Sequence, residues 1–418
     1  MVSGEEGKKE QLFFPPSGRK PRDFKSQMHP FTHATLSHLH PFNKQHMHPF
    51  WVVLNKTLSL LGCSADFWDS EDGQELSKQA FSIKKIKKFF CYRPPRGQPD
   101  LDGWRCREMI AFMFKNDDTD LHQLIRSELI LPYIYGDFHP DHLPEKAGGL
   151  LFAFFKDNGV DVRPLCCGSA FRRCAAALIV HELKGDAHVF FTTTIPNFIQ
   201  CAGGLPDGAS RCAFLLQMLY EREAEPQQEG IQQWPRAICQ LDFRNAFNED
   251  DRAPIMDALC GVASQSYDEG RVQPGDEIKP SLKAARVFFP YAKAMLGTES
   301  SLRFQDDRGR AHPMKGTTGV SQGDPYAAFA FCASTQPTWS NVYARSPTTT
   351  GAAFMDDSFA EDELPKLLRF MRDAMRAFEQ DHKLVMSPAK CKLHMKGVSI
   401  DTAHDLVKQC IEADNDLE

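Results

Sequence analysis

Apolar and polar positions fall into short, distinct periods along this chain. From Glu361 to Phe378, Leu364, Leu367, Leu368, Met371, Met375 and Phe378 recur at three- and four-residue spacing, which predicts an amphipathic helix. Leu150 to Phe155, opened by Gly148-Gly149 and ending at Lys156, predicts a strand. Asp157-Asn158-Gly159 is a hairpin turn signal, with a return strand through Asp161 and Arg163. Ile238 to Asn248 is largely apolar and strand-like, with Asp242 at the end of its apolar run. Gly351 to Ala360 places Asp356-Asp357 between two small apolar flanks, which predicts a tight β-hairpin with both acids at its tip. Helices are predicted after Arg105 to Phe114, from Asp120 to Leu131, and from Ala209 to about Tyr220. Asp324-Pro325 reads as N-cap and first residue of another, whose Ala327, Ala328, Ala330 and Ala333 permit close approach.

Two adjacent carboxylates repel each other unless a cation joins them, and a divalent ion keeps both ionised. In isolation the pair also fits a solvated turn. Its context includes the acid strand before it and the glycine-bearing loop Gly319-Val320-Ser321-Gln322-Gly323-Asp324-Pro325. It also includes the later block Leu384-Val385-Met386-Ser387-Pro388-Ala389-Lys390-Cys391. In that order the four blocks resemble motifs A, B, C and D of reverse transcriptases. Asp161-Val162-Arg163-Pro164-Leu165 with Arg172-Arg173 looks like the fingers motif, and Leu101-Asp102-Gly103-Trp104-Arg105 like the block preceding it in non-LTR (LINE-type) retrotransposon enzymes. The resemblance runs from about Arg93 to His394.

It implies an α+β right-hand polymerase with fingers and an antiparallel palm sheet backed by helices. The implied divisions are a His/Pro-rich leader over 1–50, a helical N-terminal extension of the fingers over 51–145, fingers over 146–232, and a palm over 233–395. A tail, or the start of a truncated thumb, would occupy 396–418. The implied activity is RNA-directed DNA polymerisation within a non-LTR retrotransposon, adding deoxynucleotides to a primer 3′-hydroxyl on an RNA template with a DNA primer. Two Mg²⁺ ions, with Mn²⁺ as a substitute, serve such a displacement and demand hard oxygen ligands. Asp242, Asp356, Asp357 and the Phe243 carbonyl are the expected metal oxygens. Lys390 is expected either as general acid toward pyrophosphate or as a structural surface lysine. Lys156 and Arg163 flank one hairpin and suit a triphosphate. Phe247 would sit beneath the sugar and exclude a 2′-hydroxyl, while Gln322 and Gly323 would meet nucleotide and template base. Trp104, Arg105, Arg172 and Arg173 are the expected template and primer contacts.

The 418 residues suffice for two or more domains, and 42% hydrophobic with 25% charged residues is ordinary for a globular chain. A net charge of −6 argues mildly against a nucleic-acid binder, although a basic groove can hide in an acidic total. No apolar run reaches membrane-span length and no signal-peptide core opens the chain. With 13 cysteines in no zinc-ribbon spacing, an intracellular protein with reduced thiols is expected, nuclear by the habit of such elements or else cytoplasmic. The tripeptide His-Pro-Phe recurs at His29, His40 and His48, either for transition metals or as low-complexity leader. Lys84-Lys85-Ile86-Lys87-Lys88 reads as a phosphate contact or a solvated helix face.

Two departures stand out. Motif D usually has glycine before its strand, where His382 or Lys383 stands here. After that motif only Val398 to Glu418 remain, one helix's worth, so the thumb is expected to be missing or cut short. That motivates the alternative of a truncated, inactive retroelement relic that at most binds nucleic acid.

Overall fold

A computed structural model describes residues 81–92, 100, 105–106, 119–155, 162–203, 207–221, 234–259, 281–306 and 310–414. The leader, Trp104, Lys156 and the Asp157-Asn158-Gly159 turn lie outside the described residues.

The helical N-terminal part contains α1 (Ile83–Tyr92), α2 (Thr119–Ile125), α3 (Leu131–Tyr135) and α4 (Leu143–Ala147). In α1, Ile86 and Phe90 turn into the core while Lys84, Lys85 and Lys88 stay exposed, so the basic run lies on a solvated helix face. A single π-turn over Arg126–Ile130 joins α2 to α3, giving the helical stretch expected from Asp120 onward.

Strands β1 (Gly149–Phe155) and β2 (Val162–Cys167) form the predicted hairpin, in register from Leu150↔Cys167 to Phe155↔Val162. Next come α5 (Ala170–Thr193), β3 (Phe198–Gln200), α6 (Gly208–Glu221), β4 (Arg236–Leu241) and α7 (Ala246–Glu249). A helix over 252–259, α8, precedes α9 (Ser281–Leu296), β5 (Ser300–Gln305), β6 (Ala311–Gly316) and α10 (Ala327–Arg345). The chain continues through β7 (Thr350–Phe354), β8 (Asp357–Glu363), α11 (Leu364–His382), β9 (Lys392–Met395) and α12 (Ile400–Ala413).

The strands make two sheets, ordered β2-β1-β5-β6 and β3-β7-β8-β4-β9. In the second, β7, β8, β4 and β9 are antiparallel, but β3 adds a parallel edge, so the sheet is mixed and not the purely antiparallel one expected. One face packs on α10 and α11 through rings: Trp339 lies 4.6 Å from Phe378, and Phe243 lies 4.7 Å from Phe378. The other face carries a smaller cluster of Cys201, Cys212 and Ala352 beneath α6. Removing a fully buried ring such as Trp339 costs about 3–5 kcal/mol.

Two boundaries differ from the sequence reading. The helix expected from Glu361 begins at Leu364, because β8 runs on through Glu361-Asp362-Glu363. These acids resemble the acidic first turn of a helix. Instead Glu361 is bound by Arg236, and Asp362 accepts hydrogen bonds from Thr348 Oγ1 (2.8 Å) and Thr349 Oγ1 (2.9 Å). The helix's buried face is Leu364, Leu367, Phe370, Ala374, Phe378 and His382, with Met375 exposed. The other shift is at Asp324: α10 begins at Ala327, and the Asp324 side chain caps Tyr326 N–H (2.9 Å) in a turn before it.

Candidate active site

Register brings the acids together. β4 ends at Leu241, opposite Ser358 of β8, so Asp242 leaves β4 beside the hairpin that joins β7 to β8. Phe354 pairs with Asp357 across that hairpin, which leaves Met355 and Asp356 as its two central residues. The tip is therefore Met355-Asp356, one residue earlier than the sequence suggested; Asp357 is the first residue of β8 and exposed. Met355 has φ +62°, a left-handed conformation that costs a side-chain-bearing residue about 1–2 kcal/mol.

Burial pushes the Asp356 carboxyl above the usual carboxylate range, and the negative charges of Asp357 and Asp242 push it the same way. Arg163, exposed on β2, pulls in the opposite direction, which places its charge within electrostatic reach of the acids. Asp242 is only partly exposed, and Lys390 Nζ lies 3.3 Å from its Oδ1. The segment after α11 reaches this point because Ser387 N–H donates to Asp242 O (2.8 Å) and Arg244 N–H to Val385 O (2.9 Å), around the pair Phe243 and Met386.

The Phe247 ring is buried and stacks on Phe331 of α10, with centroids 4.7 Å apart and planes at 18°. Its carbonyl accepts from Val320 N–H (2.7 Å), so the glycine loop is laid directly on α7. Gly319, at φ +63°, passes so close that a Cβ there would lie 2.2 Å from Phe247 O. Gln322 O accepts from Cys166 N–H of β2 (2.8 Å), and Gly323 adopts φ +102°.

Arg172 and Arg173 carry no solvent-facing charge, which corrects the expectation that they touch the template. Arg172 Nη2 is 2.5 Å from Asp324 Oδ2, and its Nη1 bonds the carbonyls of Ala147 and Gly148. Tyr291 donates its hydroxyl to the same Asp324 oxygen (3.1 Å). Arg173 is 4% exposed, with Nε and Nη2 buried and without hydrogen-bond partners among the described residues. Arg105 is exposed.

Three residues escaped the sequence reading. Gln200 on β3 bonds the hairpin tip. Arg252 binds Gly319 O (3.0 Å), Thr298 O (2.6 Å) and Ser300 Oγ (3.2 Å), and burial lowers its guanidinium to about 10. Asp250 holds His382 Nδ1 at 2.8 Å and accepts from Ser334 Oγ at 3.2 Å. None sits in a motif; only their contacts across 46 to 155 residues mark them.

Among the described residues, no three His, Cys, Asp or Glu side chains close around a metal ion by themselves. The donor set nevertheless fits Mg²⁺, which binds one or two carboxylates and completes its shell with water and substrate phosphates. Hard oxygens of Asp242 and Asp356, the proton affinity of the latter raised by burial and then by the charges of Asp357 and Asp242, have the chemistry of such a site.

No protein-family model matches the sequence, and no curated protein matches it. Among solved structures, the chain is similar to an apo telomerase from Candida tropicalis at a TM-score of 0.42 and 10% identity, covering 83% of this chain and 66% of that one. A form of that telomerase truncated from the C-terminal domain gives 0.41 and 10%, with 86% and 80% covered. Likeness at this level fixes neither the fold family nor the activity. Among the described residues, no helix is long and apolar enough to cross a membrane.

Proposed function

We propose that this chain is an RNA-directed DNA polymerase of the non-LTR retrotransposon kind, adding deoxynucleotides to a primer 3′-hydroxyl. One observation carries the reading: Asp242 and Asp356 leave adjacent strands of one sheet at the same end, with Asp357 beside them. Asp242, Asp356 and the Phe243 carbonyl would hold two Mg²⁺ ions, with Asp357 tuning the site. When bound, such ions neutralise charge on the phosphoryl oxygens and favour the ionised primer hydroxyl.

The chain's own residues do the rest. Arg163 meets the triphosphate with a charge that also reaches Asp356. Phe247, braced by Phe331, forms the floor under the sugar and disfavours a 2′-hydroxyl. The loop at Gln322 and Gly323, fastened to β2, faces the nucleotide and template base. Lys390 stands beside Asp242, where its ammonium faces the departing pyrophosphate.

Primer extension on poly(rA) with oligo(dT), dTTP and Mg²⁺ tests this directly. Extension that Asp356→Asn abolishes is the expected result. A folded protein that binds template-primer without extending it would overturn the reading in favour of an inactive relic.

A further inference from the structure

Gln200 is completely buried on the edge strand β3, whose register sets it beside Ala353 of β7. Its Oε1 accepts from Met355 N–H (3.2 Å) and from Ala202 N–H (3.1 Å), while its Nε2 donates to Met355 O (3.4 Å). One primary amide thus meets both backbone polar groups of the residue before Asp356. That residue stands at positive φ where its hairpin partner Asp356 does not, the position glycine usually takes in a two-residue turn. A strained backbone of this kind persists only where its surroundings over-determine it. Just behind, Cys201 N–H donates to Ala353 O (2.7 Å), so the strand carrying Gln200 is itself fixed to β7.

We propose that Gln200 is a positioning residue: its amide locks the left-handed Met355 and thereby aims the Asp356 carboxylate at the divalent ions. This rests on the polymerase reading above. Gln200 touches neither metal nor nucleotide; it acts through the backbone of the hairpin tip.

Two substitutions separate the lock from packing. Gln200→Leu keeps much of the volume and removes every hydrogen bond. Gln200→Glu keeps an acceptor for both N–H groups but turns a second acceptor toward Met355 O. Mn²⁺ binding to the nucleic-acid-free protein, followed by electron paramagnetic resonance, should weaken about 10-fold in both, the low end for loss of a group that orients a metal ligand. Half-maximal primer extension should require correspondingly more Mg²⁺, with template-primer affinity unchanged. Amide exchange at Met355 and Ala202 should accelerate. Gln336→Leu, at another buried glutamine whose amide bonds nothing among the described residues, should match the wild type in metal dependence. If both Gln200 variants bind Mn²⁺ as the wild type does while Asp356→Asn does not, the inference falls and the polymerase reading stands. If the wild type has no Asp356-dependent Mn²⁺ site, the polymerase reading falls and takes this inference with it.

Discussion

Lys390 Nζ sits 3.3 Å from Asp242 Oδ1, so the acid that closes β4 already has a cationic partner from the segment after α11. The lysine is half exposed, and such a pair contributes no more than about 1 kcal/mol once water screens it. An incoming divalent ion competes with it for the same oxygen.

Lys390→Met should therefore lower the Mg²⁺ concentration for half-maximal extension, by less than about five-fold, the equivalent of that pair. A fall in maximal rate with unchanged Mg²⁺ dependence would instead mark Lys390 as a proton donor alone. A Mg²⁺ titration of single-nucleotide incorporation reads both.

Phe247→Val should narrow discrimination between deoxy- and ribonucleotides, because the floor beneath the sugar recedes. Trimming a packed ring also costs stability, about 1–3 kcal/mol for a change short of full truncation. Comparing kcat/KM for dTTP and UTP separates the two effects, since instability lowers both alike. An unchanged ratio would remove Phe247 from sugar selection.

Asp250 offers a pH test away from the proposed metal oxygens. Burial raises its carboxyl above the ordinary value, against the opposing pull of His382. The folded protein thus holds this proton more tightly than the unfolded chain. The resulting cost is absent below the unfolded value, grows as pH rises, and is complete above the folded value. Relative to Asp250→Asn, the wild type should lose stability as pH climbs through and above the carboxylate range, measured by urea unfolding at a series of pH values. A constant difference across that range would contradict this.

Lys383 ends α11 at φ +60°, and its N–H bonds the carbonyls of Glu379 and Phe378. This is the left-handed terminus that glycine favours. Lys383→Gly should stabilise the protein by about 0.5–1 kcal/mol in thermal or urea unfolding, the strain relieved less the added chain entropy.

Much of this was legible in the sequence. The β1–β2 hairpin, the acid after β4 and the hairpin bearing Asp356 each follow from local periodicity and turn residues. That no glycine stands at 382 or 383 was visible as well, and Lys383 takes a left-handed conformation there. What stayed hidden was long-range satisfaction of charge. Arg172-Arg173 were expected at the template by resemblance, and a sequence does not show that Asp324, 152 residues later, takes one of them. Glu361 to Glu363 read as a helix start because Arg236 and Thr349 are remote in the chain. The turn slipped by one residue because nothing local says that methionine will accept positive φ; that permission comes from Gln200.

The bond between Arg172 and Asp324 has a mechanical meaning. It ties α5, which follows the first sheet, to the turn that starts α10 behind the second, and Cys166 with Gln322 makes a second tie close by. Separating a buried ion pair of this sort costs about 3–5 kcal/mol. The two sheets therefore move as one block at this seam. Swinging one sheet against the other would have to break both ties.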